Sequence, residues 1–165
     1  MLSDINNNNG FWEGTVQLDY WMAYFETHEP ISLNVGGDKL ISEINDTHIN
    51  GYYYLIKNQQ SILNSILSAL IDIYPQLQEQ YNYDEDEKSK YMPDIIKPED
   101  FKKIIKPNTI TIIDVAKDGM AYVGFGFDCE WDDEHGLGVM THSSKIVRIG
   151  GADTSSLTWI AEQDL

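Results

Sequence analysis

The sequence predicts a single α+β domain: a mainly antiparallel, twisted sheet of about five to seven strands with one long amphipathic helix packed on a face. Three observations carry this. Apolar and polar residues alternate in steps of two towards both ends of the chain, the stretch Thr47 to Ile73 repeats apolar residues in steps of three and four, and no linker-like break separates the two patterns. A chain of 165 residues buries about two-thirds of the surface its unfolded form exposes, so it needs no disulfide framework.

Residues 1–10 hold the polar run Asn6 to Asn9 and read as a flexible lead-in, leaving 11–165 as the domain. Trp12, Gly14, Val16, Leu18 and Tyr20 alternate with polar residues, which predicts a strand with one wet face; Trp21 to Phe25 extends it or turns a corner. Ile31, Leu33 and Val35 form a second strand, and Gly36-Gly37-Asp38 offers a tight turn into Leu40 to Ile44. Asn45 or Asp46 can cap the long helix, which should stop near Pro75 because the residue before proline avoids helical geometry. Gly51 weakens its first turn by roughly 1 kcal/mol relative to alanine.

The acidic run Asp84 to Glu87 repels itself and reads as a mobile loop near 82–93. Pro98 to Phe101 can start a short helix ending near Pro107. Thr109 to Val115 is β-branched, and Lys117-Asp118-Gly119 turns it into a return strand, Met120 to Trp131. That strand puts Val123, Phe125, Phe127, Cys129 and Trp131 on one face; Tyr122, Gly124, Gly126, Asp128 and Glu130 share the other. Gly124 and Gly126 leave room for a close approach by backbone or a bulky side chain. Strands at Leu137 to Thr141 and Lys145 to Ile149 follow, and Trp159 with Ile160 can dock a short terminal element before the end frays.

Charge narrows the function classes. Against 27 acids stand 11 Lys and Arg, a formal net charge of −16. Such a field repels phosphate backbones and anionic lipid, which argues against nucleic acid and membrane surfaces as partners, and no apolar run approaches a membrane span. It accelerates encounter with a cationic protein. At any single acidic residue the simpler reading is solubility. One cysteine, Cys129, and no apolar leader point to a cytoplasmic protein. Nothing in the pattern specifies an oligomeric state.

The densest stretch is Asp128, Glu130, Asp132, Asp133, Glu134 and His135, carboxylates and a histidine where a strand ends. It lacks the ligand spacing of an EF-hand loop, and the solvated strand end is the simpler reading. A metal-binding or metal-dependent alternative would recruit His135 and His142, with Cys129 as a third ligand, although two histidines seven apart form no recognised zinc spacing. His142, Ser143 or Ser144 and Asp153 offer the atoms of a Ser–His–Asp triad, but neighbours in one turn orient each other poorly and no nucleophile elbow is present. The glycines lack the context of a phosphate loop. The residues imply no cofactor and no catalytic residue.

Glu130-Trp131-Asp132-Asp133-Glu134-His135-Gly136-Leu137-Gly138-Val139, with Gly150-Gly151-Ala152-Asp153, Trp12 to Val16 and Asn58 to Leu63, resembles a family of small bacterial proteins catalogued as a domain of unknown function, with a W-x-x-E-H-G-L-G-V signature. The resemblance covers nearly the whole chain. It implies proteins encoded near polymorphic toxin systems, and hence an immunity-like role in neutralising a toxin; it transfers no catalytic residue. With the charge, it favours a non-enzymatic, acidic protein-binding module for a cationic protein partner, using Asp128 to His135. The competing classes are the metal-dependent protein at His135 and His142, and a structural or oligomer-forming domain.

Overall fold

A computed structural model describes residues 4–165. Among these residues seven strands form one sheet in sequence order: β1 (Asn6–Asn8), β2 (Phe11–Val16), β3 (Ile31–Gly36), β4 (Ile105–Lys117), β5 (Met120–Cys129), β6 (Leu137–His142) and β7 (Lys145–Gly150). Every neighbouring pair is antiparallel except β3 and β4, which run parallel with Leu33 opposite Ile110. A parallel pair needs a crossover, and the long helix α2 (Asp46–Tyr81) supplies most of it. The predicted fold class is therefore present: α+β, one mostly antiparallel sheet, one long helix packed against it.

Strand alternation sorts the core into two layers. Val16, Leu33, Ile110, Ile112, Phe125, Phe127 and Val139 face α2 and meet Leu55, Ile62, Ile66 and Leu70. The five residues expected on the inner face of β5 and beyond, Val123, Phe125, Phe127, Cys129 and Trp131, are all buried, although Trp131 lies past the strand end. On the other face a smaller cluster, Ile113, Tyr122, Met140, Ile160 and Ala161, is closed by the C-terminal 3₁₀ turn Ala152–Ser155 and helix α4 (Thr158–Gln163).

Several local expectations give way to tertiary contacts. Asn6–Asn8 is not an unstructured lead-in: it pairs with Phe11–Glu13 as an edge strand, the turn fixed by Asn7 Oδ1 accepting from Gly10 N at 2.8 Å; residues 1–3 lie outside the described residues. The strand expected through Tyr20 stops at Val16, and Asp19–Tyr24 forms a helix, α1, that inserts Trp21 between the sheet and α2. Trp21 stacks on Phe125 at 5.1 Å. Leu40 to Ile44 makes no strand, because both edges of β3 are already taken by β2 and β4. Gly36 and Gly37 do adopt positive φ, +122° and +81°, but they turn the chain onto the C-terminal segment, where Asp38 N donates to Ser156 O at 2.9 Å.

Helix α2 begins where expected, with Asn45 and His48 closing a capping box, but it does not stop at Pro75. Its irregularity lies at Asn58 (φ −120°, ψ 22°), where α1 docks and Trp21 Nε1 donates to the Gln59 carbonyl at 2.8 Å. On either side of Pro75 the helix is held from outside: Tyr74 Oη donates to Pro93 O at 2.8 Å and Gln78 Nε2 donates to Met92 O at 2.9 Å. These anchors outweigh the backbone bond that proline forfeits.

The expected acidic loop near 82–93 contains a helix, α3 (Glu85–Tyr91). Asp84 caps it by accepting from Glu87 N at 2.8 Å, so the acids sit at the positive end of the helix and Lys88 and Lys90 at the negative end. The short helix at Pro98 is a 3₁₀ turn, Pro98–Lys103, and β4 starts at Ile105, so that Pro107 lies inside the strand. The chain end does not fray at Asp164, whose carboxylate accepts from Tyr122 Oη at 2.9 Å and faces Lys117 and Lys145.

The close approach predicted at the β5 glycines is tightest at Gly124. A Cβ on Gly124 would lie 1.7 Å from the Ser155 carbonyl oxygen, and one on Gly138 would lie 2.3 Å from that of Gly151. The C-terminal turn thus rests directly on the sheet backbone. Gly124→Ala should lower the unfolding free energy by about 3 kcal/mol or more, since backbone has to move. Gly119→Ala, at a hairpin tip with φ +76° and open space around it, should cost only about 1 kcal/mol. Urea unfolding of the two variants checks the difference.

Candidate functional site

The acidic stretch lies in the connection from β5 to β6, and its shape follows from Asp132. Gly136 N donates to Asp132 O at 3.0 Å, and the Asp132 carboxylate accepts from His135 N at 3.0 Å, so residues 132–136 close on themselves. His135 Nδ1 lies 3.0 Å from the same carboxylate. Tyr81, in the last turn of α2, adds a 2.6 Å hydrogen bond from its hydroxyl to Asp132 Oδ2. Burial raises the proton affinity of Asp132, but the hydrogen bonds from Tyr81 and His135 outweigh it and hold the carboxyl below the ordinary aspartate value. Burial, followed by the same contact, pushes the Tyr81 phenol well up.

Around this corner the chain builds an aromatic wall. Tyr83 Oη donates to Trp131 O at 2.6 Å, and Tyr83 stacks on Tyr81 with ring centres 6.0 Å apart. Tyr91, at the end of α3, lies 5.7 Å from Tyr83. Buried Trp131 packs edge-on against Tyr74. The result is an open recess of about 420 Å³ lined by Tyr81, Tyr83, Tyr91 and Trp131 together with Glu130, Asp132, Asp133, Glu134 and His135. A second recess of about 320 Å³ adjoins it across Tyr81 and Trp131, between α2 and β7.

Five of the six candidate residues therefore meet in one place. Glu130, Asp133, Glu134 and His135 are exposed there, while Asp132 is nearly buried and braces the corner. Asp128 does not join them: its carboxylate accepts from Asn108 Nδ2 at 2.8 Å beside a different recess, with Lys106 and Glu29. The three tyrosines escape a reading for charge, because they sit in a polar stretch with no regular period. Their spacing carried a signal only once Tyr81 was known to be helical.

The geometry sets limits on chemistry. The extended strand β6, six residues and roughly 20 Å long, separates His135, just before its start, from His142, its last residue, too far to share an ion whose ligands lie about 2 Å away. Among the described residues no three His, Cys, Asp or Glu side chains converge as metal ligands. His142 is committed to the hairpin between β4 and β5, its Nε2 lying 3.0 Å from Lys117 O and 3.2 Å from Met120 O. Ser144 shares hydrogen bonds with Tyr54 and Ser61 instead of with a histidine. Burial pushes the Cys129 thiol up to about 12, which disfavours the nucleophilic thiolate.

Fold and site define an acidic α+β domain with an open, tyrosine-walled, carboxylate-rimmed recess. The chain belongs to the family described as a domain of unknown function, DUF6985, whose profile matches residues 6–157. No curated protein and no solved structure matches the chain. Among the described residues no helix is long and apolar enough to cross a membrane.

The bracing role of Tyr81 is open to direct test. Tyr81→Phe keeps the ring and deletes the hydrogen bond to an ionised carboxylate, so it should cost about 1.5–3 kcal/mol in urea unfolding at neutral pH. The loss should shrink in acid, once Asp132 is protonated.

Proposed function

We propose that this protein is a non-enzymatic binding module that engages a cationic protein through the recess at the end of α2, and most concretely that it is an immunity-like protein occluding a basic toxin. The observation that carries the reading is the clustering of Glu130, Asp133 and Glu134 around an accessible aromatic wall on a chain of net charge −16. Carboxylates in this position steer a cationic partner and fix its orientation, while aromatic side chains supply the contact area typical of binding hot spots. The resemblance to proteins encoded near toxin systems supports the class of partner. Occlusion requires tight binding and no turnover.

The experiment is association kinetics with the product of the neighbouring gene. The association rate should fall at least about tenfold as salt rises from about 50 to 500 mM, because the Debye length contracts from roughly 14 to 4 Å. Replacing Glu130, Asp133 and Glu134 together by lysine should slow it further. Asp132 is left intact because its carboxylate holds the corner. An association indifferent to salt and to these three substitutions contradicts the reading.

A further inference from the structure

We propose that the recess is an anchor site for an arginine side chain of that cationic partner, with Tyr83 and Tyr91 stacking on the guanidinium and Glu130, Asp133 and Glu134 pairing with its edge. The inference rests on the binding-module reading and specifies what the site takes. Four observations lead to it.

Two of the three phenol hydroxyls in the aromatic wall are committed within the fold. Tyr81 spends its proton on Asp132 and Tyr83 spends its proton on the Trp131 carbonyl, so both rings are pinned by their polar ends. Two adjacent ring pairs, Tyr81–Tyr83 and Tyr83–Tyr91, then form a continuous aromatic row along the recess. Such rings attract a cation by their quadrupole, and a planar guanidinium can also stack on them.

A cation already sits on one end of the row. Lys90 Nζ lies 4.8 Å from the centre of the Tyr91 ring, and the proximity of Tyr91, with a smaller contribution from Glu130, holds its pKa above the ordinary lysine value. The rim is nevertheless under-neutralised. Asp133 and Glu134 make no side-chain hydrogen bond or ion pair among the described residues, and Glu130 meets Lys90 only through space. Elsewhere lysines do find acids: Lys39 with Glu162, Lys88 with Asp94, and Lys106 with Glu29.

The fourth observation is shape. The recess is open, about 420 Å³ in volume and lined by both the rings and the carboxylates, so a side chain that enters it meets both. Carboxylates can accept a guanidinium's paired N–H donors; a lysine ammonium is a compact, strongly hydrated point charge that gains less from a flat aromatic row.

The test uses the full chain and three small probes: N-acetyl-arginine amide, the lysine analogue, and the neutral, isosteric citrulline analogue. NMR of the aromatic side chains reads where each binds. The arginine probe should shift Tyr81, Tyr83, Tyr91 and Trp131 signals with a dissociation constant on the order of millimolar, the lysine probe should bind about threefold or more weakly, and citrulline should leave these signals unmoved. Tyr83→Leu should weaken the arginine probe about fivefold or more. Lys90→Gln should tighten it about two- to fivefold, whereas Lys57→Gln, an equal change in net charge at an exposed site remote in sequence, should not. Unchanged amide signals in the β4–β5 hairpin confirm that each variant is folded.

Equal binding of arginine and citrulline, no binding at all, or shifts spread over the surface without a difference between arginine and lysine would each overturn the proposal. Because the probes need no partner, the two claims separate. A probe that binds as described, with a neighbouring protein whose association ignores salt, sinks the binding-module reading alone; a salt-steered partner with a silent recess sinks the arginine anchor alone.

Discussion

The hydrogen bond from Tyr81 to Asp132 ties the far end of α2 to the corner after β5, and the architecture around the recess depends on it. A 36-residue helix is about 54 Å long and β4, with 13 residues, about 43 Å, so α2 outreaches the longest strand. Its last turns therefore need partners other than the sheet. Tyr74 and Gln78 find them in Pro93 and Met92, and Tyr81 finds Asp132. With the helix end pinned, the left-handed Asn82 turns the chain back, and Tyr83 and α3 complete the wall.

The rest of the domain keeps that corner rigid. One face of the sheet is sealed by α2, and the other, over β4 to β7, by a C-terminal turn lying against the β5 and β6 backbones at Gly124 and Gly138. Asp38 accepts hydrogen bonds from both the backbone N–H and the hydroxyl of Thr158, fastening the turn after β3 to α4. Ala152 N donates to His135 O at 2.7 Å, so the same C-terminal turn also braces the acidic corner from behind. Rigid support matters for a binding surface, since side chains already ordered lose less entropy on association.

Much of this was legible in the sequence, and the omissions have physical causes. Alternation and β-branched runs located six of the seven strands among the described residues, and the three- and four-residue repeat located α2, because such patterns report burial. Pro75 misled: a local preference predicts a stop, but the contacts of Tyr74 and Gln78 overrule it. Asp84 to Glu87 misled in the same way, since like charges that repel in a loop are favourable in the first turn of a helix. Leu40 to Ile44 has strand-like character, and only the parallel partner of β3, distant in sequence, denies it a place. The acidic half of the recess was visible as a cluster; its aromatic half was not, because Tyr81, Tyr83 and Tyr91 come together only through the continuation of α2. Asp128, adjacent in sequence to the cluster, faces Asn108 instead.

If Tyr81 and His135 organise the recess by holding an ionised Asp132, the carboxyl must resist protonation despite its burial. A carboxyl depressed in the folded state stabilises the fold above its unfolded pKa, and that contribution is lost as pH falls through the folded value. The most direct measurement is an NMR titration of the Asp132 side-chain carboxyl in the intact chain and in Tyr81→Phe. The account predicts a midpoint below the ordinary aspartate value of about 3.9 in the intact chain, moving upward when the hydroxyl is removed. A midpoint at or above that value, or one unmoved by Tyr81→Phe, would contradict it.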